Sequence, residues 1–287
     1  LGSAATVVIP AMIRDCYGKD TAKGMSAVTM IMLIAPLLAP LMGSLLLTFT
    51  AWEGIFAFLA IYPAILLILT WRYLPETKAA NATGKRPSLL NNYQIIFGNK
   101  TIYFDLLCYM LTSLAFFTYL TSVSFIYITW YGVSETMFGI LFAFSAGALI
   151  LANYLNVRFV ARIGPRRLMH LGLGLGTLFA LALLLVTVSG LGLYWTVTCF
   201  VCIVGCLGIS AVNADALILI EFPQQASSAS AVTGTLRFGF GSVTGPLLAW
   251  TYNGTPVPVA VLLLLALCGA CIAQLFRHWR QQTPAST

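Results

Sequence analysis

Long apolar runs separated by short polar connectors dominate this sequence. Each run is long enough to cross a bilayer, because a hydrocarbon core of about 30 Å requires about 20 helical residues. The runs lack the alternating pattern of barrel strands, and a backbone in lipid must satisfy its own hydrogen bonds, so each run is predicted to be a helix. A shorter apolar segment at residues 1–12 is interpreted as the end of a further helix. The eight predicted spans are approximately residues 26–48, 53–71, 103–127, 136–157, 168–188, 193–217, 228–250 and 257–276.

The connectors alternate between basic and uncharged, and this alternation predicts the topology. Of the 15 lysines and arginines, only Arg237 falls inside a run. By the positive-inside rule, the basic connectors and the C-terminus are predicted to be cytoplasmic, in a cell inner membrane. Trp52, Trp130 and Trp250 fall at the opposite ends of the runs, as an interfacial aromatic belt would. The basic residues of the connectors and the tail are Arg14, Lys19, Lys23, Arg72, Lys78, Lys85, Arg86, Lys100, Arg158, Arg162, Arg166, Arg167, Arg277 and Arg280.

The composition excludes several classes of protein. Hydrophobic residues make up 60% of the chain and charged residues 8%, whereas a soluble domain carries about 25% charged residues. The net charge of +7 lies in the connectors, which indicates membrane topology and not a nucleic-acid surface. The seven cysteines lie mostly inside apolar runs without acidic or histidine co-ligands, so they are interpreted as packing residues and not as a metal site. Because the chain also shows no nucleophile triad or P-loop, neither enzymatic activity nor a cofactor is predicted.

A polar stretch near the middle divides the chain. Residues 75–101 have the composition of a linker and are predicted to connect two helical bundles on the cytoplasmic side. Ala39-Pro40 and Gly245-Pro246 each place a small residue before a proline late in a run, six helices apart, which indicates two related halves. The predicted domains are therefore the remainder of an N-terminal bundle at 1–74, the linker, and a C-terminal bundle at 102–287.

Short strings along nearly the whole chain occur in the order and spacing of one known family. The strings are Ile13-Arg14-Asp15, Lys23-Gly24-Met25-Ser26, Ala35-Pro36-Leu37-Leu38-Ala39-Pro40-Leu41-Met42-Gly43, Trp52-Glu53-Gly54-Ile55-Phe56, Leu74-Pro75-Glu76-Thr77, Phe138-Gly139-Ile140-Leu141-Phe142, Arg162-Ile163-Gly164-Pro165-Arg166-Arg167, Glu221-Phe222-Pro223 and Ala229-Ser230-Ala231. Together they resemble the Bcr/CflA family of drug-resistance transporters. The resemblance implies a major facilitator fold of twelve helices in two bundles, of which this all-α chain would supply a partial helix four and helices five to twelve. Glu53 and Arg237 depart from the family pattern, which usually has Arg and an uncharged polar residue there.

Charged residues within or beside the runs are candidates for a substrate or proton pathway. Arg237 lies near the middle of its run, where a charge costs at least about 2.5 kcal/mol, so it must face protein or water. Gly234, Gly241 and Gly245 share its helical face and would admit a neighbouring helix. Arg237 is interpreted either as a binding or counter-ion site or as an anchor between helices.

Two acidic residues lie near the cytoplasmic ends of runs that line the central cavity in the resembled fold. Asp105 and Asp215 could each carry a proton if burial favours the neutral form, although their position near the interface favours simple solvation. The polar and aromatic character of 103–127 suits a cavity wall for amphipathic drugs, whereas 257–276 is expected to face lipid. The further pathway candidates are Asn213, Tyr109, Phe116 and Phe117.

Two segments resemble conserved devices of drug exporters. The small residues and prolines of residues 35–43 resemble an antiporter motif that prevents leaks, although helix packing alone explains the same residues. A basic turn resembles the second-half counterpart of a cytoplasmic gating loop, although positive-inside topology would also produce it. The antiporter-like residues are Ala35, Pro36, Ala39, Pro40 and Gly43, and the turn comprises Arg158, Arg162, Gly164, Arg166 and Arg167.

These features predict a secondary active transporter that exports lipophilic drugs of the bicyclomycin or sulfonamide-resistance type by proton antiport. The alternatives are an exporter of a small metabolite such as an amino acid, which Arg237 would favour, a lipid-modifying membrane enzyme, and a nonfunctional truncated remnant. The expected partners are the lipid bilayer and a small drug or metabolite, with no nucleic acid, and the protein is expected to be a monomer.

Overall fold

The computed structural model describes residues 12, 39, 42–43, 45–73, 89–99, 102–222 and 225–282, and every regular element in these ranges is helical. The helix α3 continues directly into a π-helical segment at Phe125–Trp130. The helices are α1 (Trp52–Tyr73), α2 (Leu89–Gly98), α3 (Ile102–Ser124), α4 (Glu135–Ile163), α5 (Pro165–Ser189), α6 (Leu193–Glu221), α7 (Ala226–Thr251) and α8 (Val257–Gln282).

Six helices in the described ranges are long and apolar enough to cross a membrane: α1, α3 with its π-helical extension, α4, α5, α6 and α8. Each matches one of the predicted spans. The predicted span 228–250 is helical as α7, but its serine, threonine and glycine residues leave it too polar to meet the same criterion. Most of the predicted span 26–48 and of the partial helix before it lies outside the described residues. The prediction of an all-helical, multi-pass membrane protein is therefore confirmed.

The chain divides into two compact units, residues 1–86 and residues 87–287. In the first unit, α1 is apolar between Glu53 in its first turn and Arg72 in its last turn, and it has no buried residue. An apolar helix without a polar face is typical of a membrane span.

In the second unit, α3 is the central helix. It packs against α6, α7 and α8, and 61% of its apolar span is buried, compared with 17% for α4. The other main packing pairs are α5 with α6, α4 with α6, and α5 with α8. The core therefore lies around α3 and the faces of α6 and α8 that meet it.

The two ends of this bundle differ in chemistry. Exposed aromatic side chains mark the ends of α3 and α7 and the start of α6, where the Tyr131 hydroxyl lies 2.8 Å from that of Thr196. We call this the aromatic end, and its exposed side chains are Trp130, Tyr194, Trp195, Trp250 and Tyr252. At the opposite end, Asp105, Arg166 and Arg277 meet, and we call it the basic end.

The structure adds detail to one sequence-based expectation and corrects another. The predicted linker contains the helix α2, whose Ile96 is fully buried, and the following Asn99 donates a hydrogen bond to Glu221 Oε1 at 3.2 Å. The 257–276 run does not face lipid all round, because alanines and leucines such as Ala260 and Leu267 bury one face of α8 in the core. Small side chains at regular spacing allow this close packing although the run carries no polar stripe.

Phe200 provides a test of this core. It is fully buried and packs against Tyr119 and Tyr127, with ring centroids 5.3 Å and 6.1 Å away. Phe200→Ala should lower the unfolding free energy by about 3 kcal/mol or more, because the cavity it leaves cannot collapse fully. Thermal unfolding in detergent would measure this loss. Phe144→Ala is the matched control, since Phe144 on α4 is 60% exposed, and equal effects of the two substitutions would contradict the assigned core.

Candidate functional site

A buried carboxylate is paired at the basic end of the bundle. Asp105, in the first turn of α3, is 1% exposed. Its Oδ2 atom lies 3.1 Å from Arg277 Nε, and its Oδ1 atom lies 3.4 Å from Arg166 Nη1. Gln274 donates a hydrogen bond to Oδ1 at 3.0 Å. The expectation that Asp105 is solvated is therefore wrong, because two guanidinium groups and an amide replace water around it.

Local sequence explains how these partners reach Asp105. Gly164 has φ +87° and ends α4, a conformation that favours glycine, and Pro165 then starts α5. This tight turn places Arg166 in the first turn of α5, facing α3. Gln274 and Arg277 lie three residues apart on α8 and therefore share one face of that helix. The network thus joins α3, α5 and α8 at one end.

The predicted gating turn is only partly engaged. Arg158, Arg162 and Arg167 are exposed. Arg166 alone among these four arginines pairs with an acidic residue in the described ranges, and its side chain is 34% exposed. Whether the turn gates transport remains a prediction.

A second charged cluster lies deeper in the bundle, where α3, α6 and α7 approach one another. Tyr109, one turn after Asp105 on α3, is buried, whereas Asp215 on α6 and Arg237 on α7 are half-buried. The three side chains interact electrostatically, and Thr233 lies beside the Asp215 carboxylate. The Oδ1 atom of Asp215 is buried without a hydrogen-bond partner in the described part of the chain. The structure therefore brings together three of the predicted pathway residues around an incompletely satisfied carboxylate.

Aromatic rings continue this cluster along α3 and α7. Phe117 lies 5.8 Å from Phe116 and 6.0 Å from Phe238, measured between ring centroids. Gly241 lies directly against Phe117, because a Cβ atom added there would be 2.5 Å from the ring. The prediction that glycines near Arg237 admit a neighbouring helix is right for Gly241 within the second unit. For Gly234 and Gly245 it stays a prediction, since no described atom lies within 4 Å of a Cβ atom added at either position.

Asn213 lies apart from this cluster. Its amide donates hydrogen bonds to Asn156 Oδ1 on α4 and to the Ile209 carbonyl at 2.8 Å. Asn213 and Asp215 are two residues apart on a helix and therefore point in nearly opposite directions. Asn213 therefore forms a hydrogen-bonded packing contact between α4 and α6.

Only part of the antiporter-like segment lies within the described residues. Ala35, Pro36 and Pro40 lie outside the described residues, whereas Ala39 and Gly43 are helical. No described atom lies within 4 Å of a Cβ atom added at Gly43. Its proposed leak-preventing role stays a prediction.

Several residues of these networks escaped sequence reasoning. Thr233 carried no signal, because it is a polar residue in an apolar run and its partner Asp215 lies more than 15 positions away. Phe238 adjoins Arg237 but is indistinguishable from a lipid-facing aromatic residue in sequence. The spacing of Gln274 and Arg277 at the end of an apolar helix was the one available indication of a buried polar face.

Comparisons with known proteins support the family resemblance found in the sequence. The profile of the family described as Major Facilitator Superfamily matches residues 1–246. A bicyclomycin resistance protein homolog of Haemophilus influenzae is 30% identical over 275 residues, which cover 94% of this chain and 68% of that protein. The uncharacterized MFS-type transporter YdgK of Bacillus subtilis is 28% identical over 278 residues, or 93% of this chain and 68% of the relative. The multidrug transporter MdfA of Yersinia pestis is 30% identical over 145 residues, which cover 50% of this chain and 35% of that protein.

The Asp105 network makes a first prediction for this site. Asp105→Asn should lower the unfolding free energy by about 3 kcal/mol, because it removes the carboxylate that is paired with the buried Arg277. The partly exposed Arg166 contributes less, since solvent screens it. Thermal unfolding of the purified protein would measure the effect. Glu135→Gln, at an exposed acidic residue, is the matched control, and equal stability of Asp105→Asn and wild type would contradict the pairing.

The contact between α3 and α7 makes a second prediction. Gly241→Ala should destabilise the protein, because the new methyl group cannot fit against Phe117. Gly245→Ala, one turn further along α7, should instead be neutral or stabilising by about 0.5–1 kcal/mol, as alanine is preferred in helices. Unfolding midpoints of both variants would be compared. Identical shifts for the two variants would show that α7 does not pack on α3 through Gly241.

Proposed function

Since this chain belongs to the major facilitator superfamily, we propose that it acts in drug efflux by proton antiport. The chain is a multi-pass membrane transporter protein with drug-resistance relatives. The proposed substrates are lipophilic drugs of the kind that bicyclomycin resistance and multidrug transporters are named for. The proposed mechanism is alternating access, in which two helical bundles rock about a central site.

The observation that supports this proposal most directly is the cluster of Tyr109, Asp215 and Arg237. A charge at membrane depth is unfavourable by at least about 2.5 kcal/mol unless it meets protein or water, and such charges commonly mark transport pathways. Arg237 interacts electrostatically with Asp215 and Tyr109, which compensates part of its charge. The compensation is incomplete, because one Asp215 oxygen has no hydrogen-bond partner in the described ranges. A carboxylate with one oxygen that lacks a hydrogen bond is suited to exchanging its binding partners.

Asp215 is the proposed proton carrier. Its carboxylate can take up a proton, which would weaken its attraction to Arg237 and change the charge that a substrate meets. Drug binding beside the carboxylate would in turn favour release of that proton. Competition of this kind between proton and drug is sufficient to couple their opposite movements.

The aromatic rings beside this cluster are the proposed drug contacts. Phe116, Phe117 and Phe238 offer apolar, polarizable surfaces next to charged groups. Such a mixed environment suits amphipathic molecules with a ring system and one polar group. Tyr109 would add a hydroxyl at the boundary between the charged and the apolar parts.

A second candidate function is the export of a carboxylated metabolite, which Arg237 favours. A guanidinium group can bind a carboxylate through two parallel hydrogen bonds. In that case Asp215 would position Arg237 and would not carry the proton. The two functions make different demands on Arg237, because only the second needs its direct contact with the substrate.

The proposed setting follows from the charge distribution along the chain. The basic end of the second unit and the C-terminal tail would face the cytoplasm, in the inner membrane, because arginines concentrate there. The protein is proposed to work as a monomer, with Asp215 and Arg237 supplied by one chain. Energy would come from the proton gradient.

Proton release from inside-out membrane vesicles tests this proposal. Vesicles containing the full product of the gene, acidified inside, should release protons when a lipophilic drug is added. Asp215→Asn should reduce the drug-dependent release at least tenfold, because the amide cannot carry the proton. Phe117→Ala should raise the half-saturating drug concentration severalfold. Glu135→Gln, outside the cluster, should behave as wild type.

Two outcomes would overturn parts of this account. Drug-dependent proton release that survives Asp215→Asn unchanged would remove Asp215 from the proton pathway. Absence of release with every drug tested, together with carboxylate-dependent release that Arg237→Ala abolishes, would replace drug efflux by metabolite transport.

A further inference from the structure

A cavity of about 410 Å³ lies between α5 and α8 near the basic end of the second unit. It is separate from the Asp215 cluster, because neither helix contributes a residue to that cluster. Its lining residues are His170, Leu173, Cys271, Gln274, Leu275 and His278. The volume falls within the range of about 300–1,000 Å³ that is typical of small-molecule sites.

The lining changes from polar to apolar with depth. On α5, His170 lies one turn nearer to the helix start at the basic end than Leu173 does. On α8, His278 lies about 10 Å nearer to that end than Cys271, at 1.5 Å per residue. His170 Nε2 and Gln274 Oε1 are 3.5 Å apart, so polar groups from both helices meet near the outer part of the cavity. A polar outer part above an apolar inner part matches a lipid headgroup above its acyl chain.

The helix faces beside the cavity are apolar and exposed. Leu171 and Leu175 on α5 are exposed, as are Ile272 and Leu275 on α8, with Leu275 at 68%. In a multi-pass membrane protein, such faces contact lipid. The cavity is therefore bordered by surfaces along which an acyl chain can lie.

The charge around the cavity favours an anionic headgroup. Arg166 and Arg167 lie at the start of α5, and Arg277 and Arg280 lie near the end of α8. Asp105 is the acidic partner of Arg166 and Arg277, and Glu221 also acts on Arg277. Four arginines against two carboxylates leave an excess of positive charge beside the cavity mouth. Basic pockets between membrane helices are suited to anionic lipid headgroups.

We infer that this cavity binds the headgroup of an anionic glycerophospholipid. The phosphate accepts hydrogen bonds from His278 and from His170, whose N–H exchanges its long contact with Gln274 Oε1 for the phosphate. The first part of an acyl chain lies against Leu173 and Leu275. The inference depends on the membrane setting of the protein and is independent of the proposed drug transport.

Native mass spectrometry of the purified protein tests the inference, with phosphatidylglycerol and phosphatidylcholine of the same acyl chains as probes. Wild type should retain phosphatidylglycerol with a roughly tenfold preference. The double variant His170→Ala/His278→Ala should lose most of this preference, whereas His170→Gln/His278→Gln should keep part of it because glutamine retains an N–H donor. Both histidines are exposed, so unchanged unfolding midpoints in lipid-free detergent should accompany these changes. If the alanine variant does not fold, Cys271→Phe, which fills the cavity, should abolish the same preference.

Three comparisons distinguish a lipid site from diffuse charge attraction and from a simple phosphate site. Arg162→Ala removes an exposed positive charge outside the cavity, and it should leave the preference intact. If Arg162→Ala reduces lipid retention as much as the histidine variant, diffuse charge attraction replaces the proposed site. If inorganic phosphate displaces phosphatidylglycerol at equal concentration, the site is a phosphate site and the acyl-chain contact is wrong. Equal retention of phosphatidylglycerol and phosphatidylcholine by wild type would overturn the inference altogether.

Discussion

The burial of the Asp105 carboxylate is the constraint on which the arrangement of the second unit depends. A carboxylate that is 1% exposed must find compensating charge and hydrogen bonds inside the protein. Arg277 on α8 supplies charge, Gln274 on the same helix supplies a hydrogen bond, and Arg166 on α5 supplies both, so three helices must meet at one point. Because α3 is also the helix that packs against α6 and α7, fixing its basic end fixes the centre of the bundle.

The carboxylates of the two charged clusters along α3 differ in how fully they are hydrogen-bonded. Asp105 has two guanidinium partners and an amide donor, which suits a structural role. Asp215, deeper in the bundle, retains a buried oxygen without a partner in the described residues, and its neighbour Arg237 is only half-buried. Incomplete satisfaction costs stability, and that cost is typical of sites that bind and release ligands. The same helix thus supports a fixed contact at its end and an exchangeable one further in.

Sequence alone predicted the helical spans, because each apolar run has the length that a bilayer demands. It also predicted the basic turn around Gly164, which separates α4 from α5. The family that the sequence resembles is confirmed by the matched profile and the relatives. It identified Tyr109, Asp215 and Arg237 as candidates. It did not predict that they form one cluster, because the contacts between α3, α6 and α7 depend on packing. The partners of Asp105 were missed for the same reason. Asp105 was expected to be solvated because it lies near a helix end, whereas it is buried. Glycine spacing could not distinguish Gly241 from Gly245, because helical periodicity gives the face but not the depth at which a neighbouring helix crosses.

A double-mutant cycle on Asp105 and Arg277 tests the central claim most directly. Unfolding free energies of the wild type, Asp105→Asn, Arg277→Gln and the double variant give the coupling energy between the two side chains. We predict a favourable coupling of about 1 kcal/mol or more, so that the double variant is more stable than the sum of the single effects implies. Additive effects of the two substitutions would contradict the claim that this buried pair holds α3 and α8 together.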